Sequence, residues 1–136
     1  MRSDWARFTG LGVEFHYPPH AARRDEQAEL VHVYSPDRQE LYFEVARFRG
    51  LTPQLEYARH KPYLAQRFGP GAVSELAETS HAGYPAWTYS FGWDDEGRRM
   101  ERAAVLLQLG ADTCRIIRDP RSALNDEVLA SLVPLE

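Results

Sequence analysis

Large apolar residues alternate with small or polar ones along one long stretch of the chain, residues 84–119. In the segment 84–93 a large aromatic residue occupies every second position from 87 onward, which is the pattern of a strand and not of a helix. These aromatic residues are Trp87, Tyr89, Phe91 and Trp93. The next segment, 98–109, becomes apolar on both faces and therefore predicts a central strand that is covered on both sides. An acidic turn at 94–97, ending in Gly97, joins the two strands as a hairpin.

Shorter segments with similar patterns predict the remaining strands. They are residues 12–17, 29–34, 39–48, 113–118 and 72–79, and a helical turn is the alternative for the last of these. A turn at 35–38 carries proline in its second position, which suits a type I turn. This turn makes a second hairpin from 29–34 and 39–48, whereas the polar segment 21–27 is predicted to form a loop.

Two helices are predicted. The first spans 53–68, because Thr52 can cap the free N–H groups of its first turn and Pro53 fits the first helical position. Pro62 lies inside this helix and predicts a kink or a division into two short pieces. The second helix follows from a four-residue spacing of apolar side chains, at Leu124, Val128 and Leu132. Asn125 is predicted to be its N-terminal cap.

The predicted order of elements is β-β-β-α-β-β-β-β-α. This order indicates an α+β fold in which an antiparallel sheet of about six or seven strands is flanked by helices, as in an α/β/α sandwich. A chain of 136 residues is long enough to bury a core without metal ions or disulfides. We therefore expect residues 1–136 to form a single domain.

Charge and cysteine content restrict the classes of partner and site. The net charge is −4, which argues against nucleic acid and anionic membranes as partners. Cys114 is the one cysteine, so the chain has no intrachain disulfide, and its position in an apolar strand predicts a buried hydrophobic role. The N-terminal residues lack the apolar core of a signal peptide, and no segment approaches transmembrane length. We therefore expect a cytoplasmic protein.

One group of side chains could bind a metal ion. His16, His32 and Glu44 lie on three predicted strands and could converge on one face of the sheet, offering two nitrogen ligands and one oxygen ligand. The alternative is that they are ordinary polar residues on a partly exposed face. No closely spaced histidine motif supports a metal site, so we predict no cofactor.

Recognisable catalytic motifs are missing from the sequence. No serine lies in a nucleophile elbow, and there is neither a P-loop nor a dinucleotide-binding glycine motif. The carboxylates of Asp94, Asp95 and Glu96 fall in a hairpin turn, where solvation and turn geometry explain them. We therefore predict that the protein is not an enzyme.

The aromatic row and the nearby arginines are the best candidates for a binding surface, because both residue types are enriched at interfaces. The candidate binding residues are Trp87, Trp93, Arg99, Arg102, Tyr34 and Tyr42. The alternative for the aromatic row is core packing beneath a helix, with Trp93 as its most exposed member. The first hypothesis is a binding module that holds a partner protein, or a second copy of itself, with its sheet face and long hairpin. The second is a carrier of an apolar small molecule, in a pocket lined by Tyr34, Tyr42 and Trp87.

Several segments together resemble a known family. They are GVEFHYP at 12–18, Thr-Pro-x-Leu-x-Tyr-Ala at 52–58, AGYPAW at 82–87, the hairpin sequence at 96–117 and Val-Leu-x-Ser-Leu at 128–132. This pattern resembles the PsbP-like superfamily, which includes an extrinsic photosystem II subunit, a fungal Ran-binding import factor and bacterial DcrB-like domains. The resemblance implies a three-layer α/β/α fold around an antiparallel sheet. It also implies a non-enzymatic binding module without a shared catalytic set.

Overall fold

Ten strands and two helices form within residues 4–27, 29–37 and 40–135, the parts of the chain that the computed structural model describes. In chain order they are β1 (Ala6–Gly10), β2 (Val13–Tyr17), β3 (Ala22–Gln27), β4 (Leu30–Tyr34), β5 (Tyr42–Phe48), α1 (Pro53–Phe68), β6 (Ala77–His81), β7 (Tyr84–Asp95), β8 (Arg98–Leu109), β9 (Asp112–Arg118), α2 (Ala123–Ser131) and β10 (Val133–Pro134). The paired strands are all antiparallel. Three strands form a small sheet in the order β1-β2-β10, and seven form a large sheet in the order β3-β4-β5-β9-β8-β7-β6. The predicted α+β class and the seven-stranded antiparallel sheet are thus confirmed.

The large sheet has two faces, which we name after the helices that cover them. One row of aligned residues crosses the α1 face from β5 to β7, and its members are Glu44, Ile117, Ala104 and Tyr89. The neighbouring positions along each strand point to the other side, the α2 face, because side chains alternate along a strand. Two hydrophobic clusters result, one on each face.

The α2 face is closed by the small sheet and by α2. Phe43 and Val45 of β5 belong to the same buried cluster as Phe15 of β2 and Val128 of α2. The Phe15 and Phe43 ring centroids lie 5.2 Å apart, at an interplanar angle of 51°. All four of these side chains have no exposed surface, so this face is a filled core.

On the α1 face, the helix α1 packs against β7 and β8 and covers them. Leu64 of the helix joins Tyr89, Phe91 and Leu106 in a buried cluster. The predicted central strand is confirmed, because β8 lies between β9 and β7 and has buried side chains on both faces. The middle of the aromatic row is core, as the alternative interpretation proposed.

Three strands were not predicted, namely β1, β3 and the two-residue β10. The β3 segment was assigned to a loop because it lacks apolar alternation, and its side chains Arg23, Arg24 and Asp25 are exposed. It is an edge strand, and charged side chains on an edge discourage pairing with another chain. β1 pairs with β2, so the first predicted strand belongs to the small sheet instead of the large one.

The first helix is one continuous helix, so the predicted division at Pro62 is wrong. Thr52 caps the helix as expected, because its Oγ1 accepts a hydrogen bond from the Leu55 N–H at 3.2 Å. Proline removes one N–H donor, and the carbonyl that would have accepted from it belongs to Ala58. Both Pro62 and Ala58 are exposed, so water can satisfy that carbonyl and the helix continues.

The predicted cap of the second helix is also wrong. Ser122 occupies the N-cap position, and Asn125 lies in the first turn of the helix. The Asn125 side chain is fully buried. Its Oδ1 accepts from the Tyr42 N–H at 3.0 Å and its Nδ2 donates to the Asp119 carbonyl at 3.0 Å. Asn125 therefore ties α2 to the sheet.

Two predicted boundaries shift, and a third cannot be compared. The strand predicted at 72–79 begins later, at Ala77, although Val73 forms an isolated bridge to Phe91. The predicted four-residue connection at 94–97 is a two-residue turn, because Asp95 pairs with Arg98 and the φ of Gly97 is 80°. Arg38 and Gln39, which were assigned to the turn 35–38 and to the start of the strand 39–48, lie outside the described residues.

Candidate functional site

A groove separates α1 from the part of the α1 face formed by β5 and β9. It consists of two cavities, of about 550 Å³ and about 380 Å³. His60, Tyr63 and Arg115 line both cavities, so the two adjoin. We call the first the wide end of the groove and the second the narrow end.

The wide end is built around Phe48, the last residue of β5. The guanidinium carbons of Arg59 and Arg115 each lie 4.8 Å from the centroid of the Phe48 ring. Leu30 and Ala46 add apolar surface, and Tyr63 of α1, about half exposed, closes one side. The wide end thus offers a flat aromatic ring held between two cations.

A buried carboxylate holds the two arginines in place. Glu56 lies in the first turn of α1, has no exposed surface, and accepts a hydrogen bond from Arg115 Nη1 at 2.7 Å and another from Arg59. Arg115 comes from β9, so this network fixes the start of α1 to the centre of the sheet. A second carboxylate, Glu44, lies 3.7 Å from Arg115 Nη2.

The narrow end is built around Arg102 of β8, which is buried. Its guanidinium carbon lies 4.0 Å from the Tyr42 ring centroid and 5.3 Å from that of Trp93. Trp93 in turn stacks on Phe68 of α1, with centroids 4.6 Å apart. Arg67 of α1 completes this end of the groove.

His60 lies between the two ends and is uncharged at neutral pH. Burial and, to a smaller extent, the positive charges of Arg115 and Arg59 together lower its pKa to about 3. Its Nδ1 shares a hydrogen bond with the hydroxyl of Tyr89 on β7. Burial likewise raises the pKa of Tyr89 well above its ordinary value, so this pair is neutral throughout the physiological range.

Five arginines and two glutamates line the two ends of the groove. The arginines are Arg47, Arg59, Arg67, Arg102 and Arg115, and the glutamates are Glu29 and Glu44. Arg47 is paired with Asp112, and Arg59 and Arg115 with Glu56, so the remaining positive charge lies at the narrow end, on Arg67 and Arg102. A concave site with one dominant sign of charge attracts ligands of the opposite sign.

The structure brings three of the six predicted binding residues together in the groove, namely Tyr42, Trp93 and Arg102. The other three lie elsewhere. Trp87 is partly buried against the hydrophobic cluster of the α1 face, and Tyr34 lies beside His32 on β4, with the two rings tilted at 42°. Arg99 is exposed near the hairpin tip, where its Nε donates to Glu101 at 2.9 Å. The small-molecule pocket predicted from Tyr34, Tyr42 and Trp87 therefore contains only Tyr42 of its three residues.

Two of the three candidate metal ligands meet. His32 and Glu44 are directly opposite each other on β4 and β5. His16 lies on β2, in the small sheet, and faces Arg7 of β1. Among the residues described here, no group of three histidine, cysteine or acidic side chains is arranged to hold a metal ion.

The single cysteine behaves as predicted. Cys114 has no exposed surface and belongs to the cluster of the α2 face. Burial raises the pKa of its thiol to about 12, so it is a thiol and not a thiolate nucleophile at neutral pH.

Sequence reasoning missed the residues that hold the groove together, above all Glu56, His60 and Arg115. One signal was present for Arg115, since it is a lone charge between apolar residues in a strand that is otherwise buried. A charge in such a position requires a partner. The sequence did not indicate that the partner is Glu56, 59 positions earlier in the chain.

Comparison with known proteins identifies the fold. No family model matches the chain, and no curated protein matches its sequence. Its structure is similar to the solution structure of cyanobacterial PsbP (CyanoP) from Synechocystis sp. PCC 6803, with a TM-score of 0.70 over 98% of this chain and 94% of that one. The fold is PsbP-like. The sequence identity is 12%, so the likeness establishes the PsbP-like fold and assigns no residue a role.

The chain is also similar to a crystal structure from Bacteroides thetaiotaomicron VPI-5482, with a TM-score of 0.64 and 16% identity. That match covers 96% of this chain and 48% of the other, so this chain spans about half the length of that protein.

Among the described residues no helix combines the length and apolar character needed to cross a bilayer.

Proposed function

We propose that this protein is a non-catalytic binding module that holds a small molecule in the groove between α1 and the sheet. The observation that carries the proposal is the size and lining of the groove. Cavities of about 550 Å³ and 380 Å³ fall in the range of small-molecule sites. Their walls combine aromatic rings with a few converging charged groups, which is the usual composition of such sites.

The state of the polar groups in the groove supports binding over catalysis. A general base should have a pKa near the operating pH, and His60, with a pKa of about 3, is too weak a base to take a proton at neutral pH. Glu56 already accepts hydrogen bonds from two arginines and is fully buried. The PsbP-like fold is consistent with a non-catalytic module.

The proposal retains the predicted binding module and moves its site away from the hairpin tip. The tip exposes charged side chains from 94 to 99, and Arg99 there pairs with Glu101 of its own strand. The aromatic residue nearest the tip, Trp93, turns inward onto Phe68. A partner protein, self-association and a cytoplasmic location stay predictions.

Binding of an uncharged fluorescent probe tests the proposal. N-phenylnaphthylamine becomes fluorescent in apolar sites, and we expect its emission to saturate as the protein is titrated. Tyr63 is exposed by 54% and lines both cavities, so Tyr63→Ala should weaken binding about fivefold without unfolding the protein. The matched control is Tyr84→Ala, which removes a tyrosine exposed by 40% from the start of β7, outside the groove, and should leave binding unchanged.

Two results would contradict the proposal. One is an absence of saturable binding to the folded wild-type protein. The other is an equal effect of Tyr63→Ala and Tyr84→Ala, which would place the probe somewhere other than the groove.

A further inference from the structure

We propose that the ligand of the groove is a small organic anion with an apolar body. Its acidic group lies at the narrow end, near Arg67 and Arg102, and its body extends into the wide end against Phe48 and Tyr63. This inference rests on the proposed function, because it names the class of ligand that the same groove would take.

The first argument is that positive charge at the narrow end exceeds the negative charge available to it. Arg67 forms no ion pair with any described residue, and its Nη1 donates to the hydroxyl of Tyr63 at 3.0 Å. An arginine bonded to a neutral hydroxyl keeps its full charge. It can therefore pair with an acidic group placed in the cavity beside it.

The second argument concerns the carboxylate that serves Arg102. Asp119 Oδ2 lies 3.6 Å from Arg102 Nη1 and 3.0 Å from Arg121 Nη2, so one negative charge faces two guanidinium groups. Arg121 makes the closer contact, so Arg102 is only partly compensated. Because Arg102 is buried, its charge interacts more strongly with a neighbouring anion than an exposed charge would.

The carboxylate that lines the narrow end does not cancel this excess. Glu44 is 3.7 Å from Arg115 Nη2, and the hydroxyl of Tyr42 donates to it at 3.4 Å. Glu44 and Glu56 together balance Arg115 and Arg59. The excess charge is thus confined to the Arg67–Arg102 side of the groove.

The third argument is that the wide end suits an apolar body. Phe48 presents a ring between two arginines, and Leu30, Ala46 and Tyr63 add further apolar surface. A ligand with both parts would gain apolar burial at one end and charge pairing at the other.

A pair of probes that differ in one charge tests this inference. Anilinonaphthalene sulfonate resembles N-phenylnaphthylamine but carries a sulfonate group. We expect the sulfonate to bind more tightly to the wild-type protein, and its affinity to fall as the salt concentration rises from about 0.05 M to about 0.5 M. The affinity of the uncharged amine should not fall with salt.

The variant Arg67→Gln localises the charge effect. It should weaken the sulfonate probe about fivefold and leave the amine probe unchanged, because it removes a charge that no described residue pairs with. Arg98→Gln is the matched control, since Arg98 is exposed on the hairpin, outside the groove, and the substitution changes the net charge equally. It should change neither affinity more than twofold. If Arg67→Gln did not fold, the salt dependence of the two probes on the wild type would decide the inference.

The outcomes separate this inference from the proposed function. Suppose that the amine binds in the groove, as the Tyr63→Ala variant would show, but that the sulfonate binds no more tightly than the amine. The inference of an anionic ligand is then wrong, and the proposed binding function of the groove is retained. Equal weakening of sulfonate binding by Arg67→Gln and Arg98→Gln would also overturn the anion site. It would show that the net charge of the protein, and not a charge in the groove, attracts the probe. If neither probe binds, both proposals fail.

Discussion

Successive side chains of each strand point to opposite faces of the seven-stranded sheet, and these two faces have different chemistry. On the α2 face, Phe43 and Val45 of β5 pack against Phe15 and Val128 with no exposed surface. On the α1 face of the same strand, Glu44 lies beside Arg115, and the half-buried Phe48 lies between Arg59 and Arg115 at the open groove. The α2 face is a filled core, whereas part of the α1 face is a lined cavity.

This difference follows from what covers each face. The small sheet and α2 close the α2 face, so apolar side chains fill it and contribute stability. A single helix, α1, packs over β7 and β8, and the strands beside it need other groups to fill the space. Buried ion pairs and aromatic rings do so here. Such pairs contribute less net stability than apolar packing of similar volume.

The largest expected effect is on the free energy of unfolding, and it is seen when two phenylalanines of β5, one on each face, are replaced. Phe43→Ala should lower the free energy of unfolding by about 3–4 kcal/mol, because it leaves a cavity in a filled core. Phe48→Ala should lower it by about 1 kcal/mol, because this ring is half-buried beside an open groove. Urea denaturation measures both. Equal losses would mean that the two faces contribute similarly to stability.

The next effect tests whether the buried carboxylate anchors α1. Glu56→Gln leaves Arg59 and Arg115 without a negative partner at that position and should cost about 2–4 kcal/mol. Glu78→Gln is the control, because Glu78 is exposed on β6, and it should change stability by less than about 0.5 kcal/mol. A mild effect of Glu56→Gln would show that the network lines the groove without supporting the helix.

The smallest effect concerns acid pH. The pKa of His60 is about 3 in the folded protein and 6.5 as the ordinary value, so the unfolded chain binds the extra proton between these pH values. Stability is therefore complete above about pH 6.5 and falls as the pH decreases. After allowance for partial exposure, we expect a loss of about 1 kcal/mol between pH 6.5 and 4.5 from this residue.

Thermal unfolding at several pH values measures this loss. The His60→Gln variant should show a shallower decrease in melting temperature over the same pH range. His20→Gln removes an exposed histidine and should keep the slope of the wild type. If all three proteins had the same slope, His60 would not be held uncharged on the α1 face.

Much of the fold could be predicted from local pattern, and the site could be predicted only in part. Period-two alternation located β7 and β8, and the apolar faces of β8 correctly indicated a central strand. The edge strand β3 was not predicted, because a strand with charged, exposed side chains shows no apolar alternation in the sequence. Patterns of this kind report burial, so they fail where a strand buries little.

The groove depends on contacts between residues that are distant in sequence. Tyr42, Trp93 and Arg102 were predicted as binding residues from their types, and the fold brings them together around one guanidinium group. Glu56 and Arg115 were not predicted, because helix and strand patterns do not specify which charges meet across layers. The register of β5 against β9 and the position of α1 determine that pairing.

The most direct test of the central claim, that the groove on the α1 face is the binding site, is an NMR titration of the isotope-labelled protein with N-phenylnaphthylamine. The account predicts that amide shifts concentrate at Phe48, Tyr63 and Arg115 and at their neighbours in β5, α1 and β9. The hairpin tip, 94–99, and the small sheet should be unaffected. Shifts centred on the hairpin tip, with none at Phe48, Tyr63 or Arg115, would contradict the account.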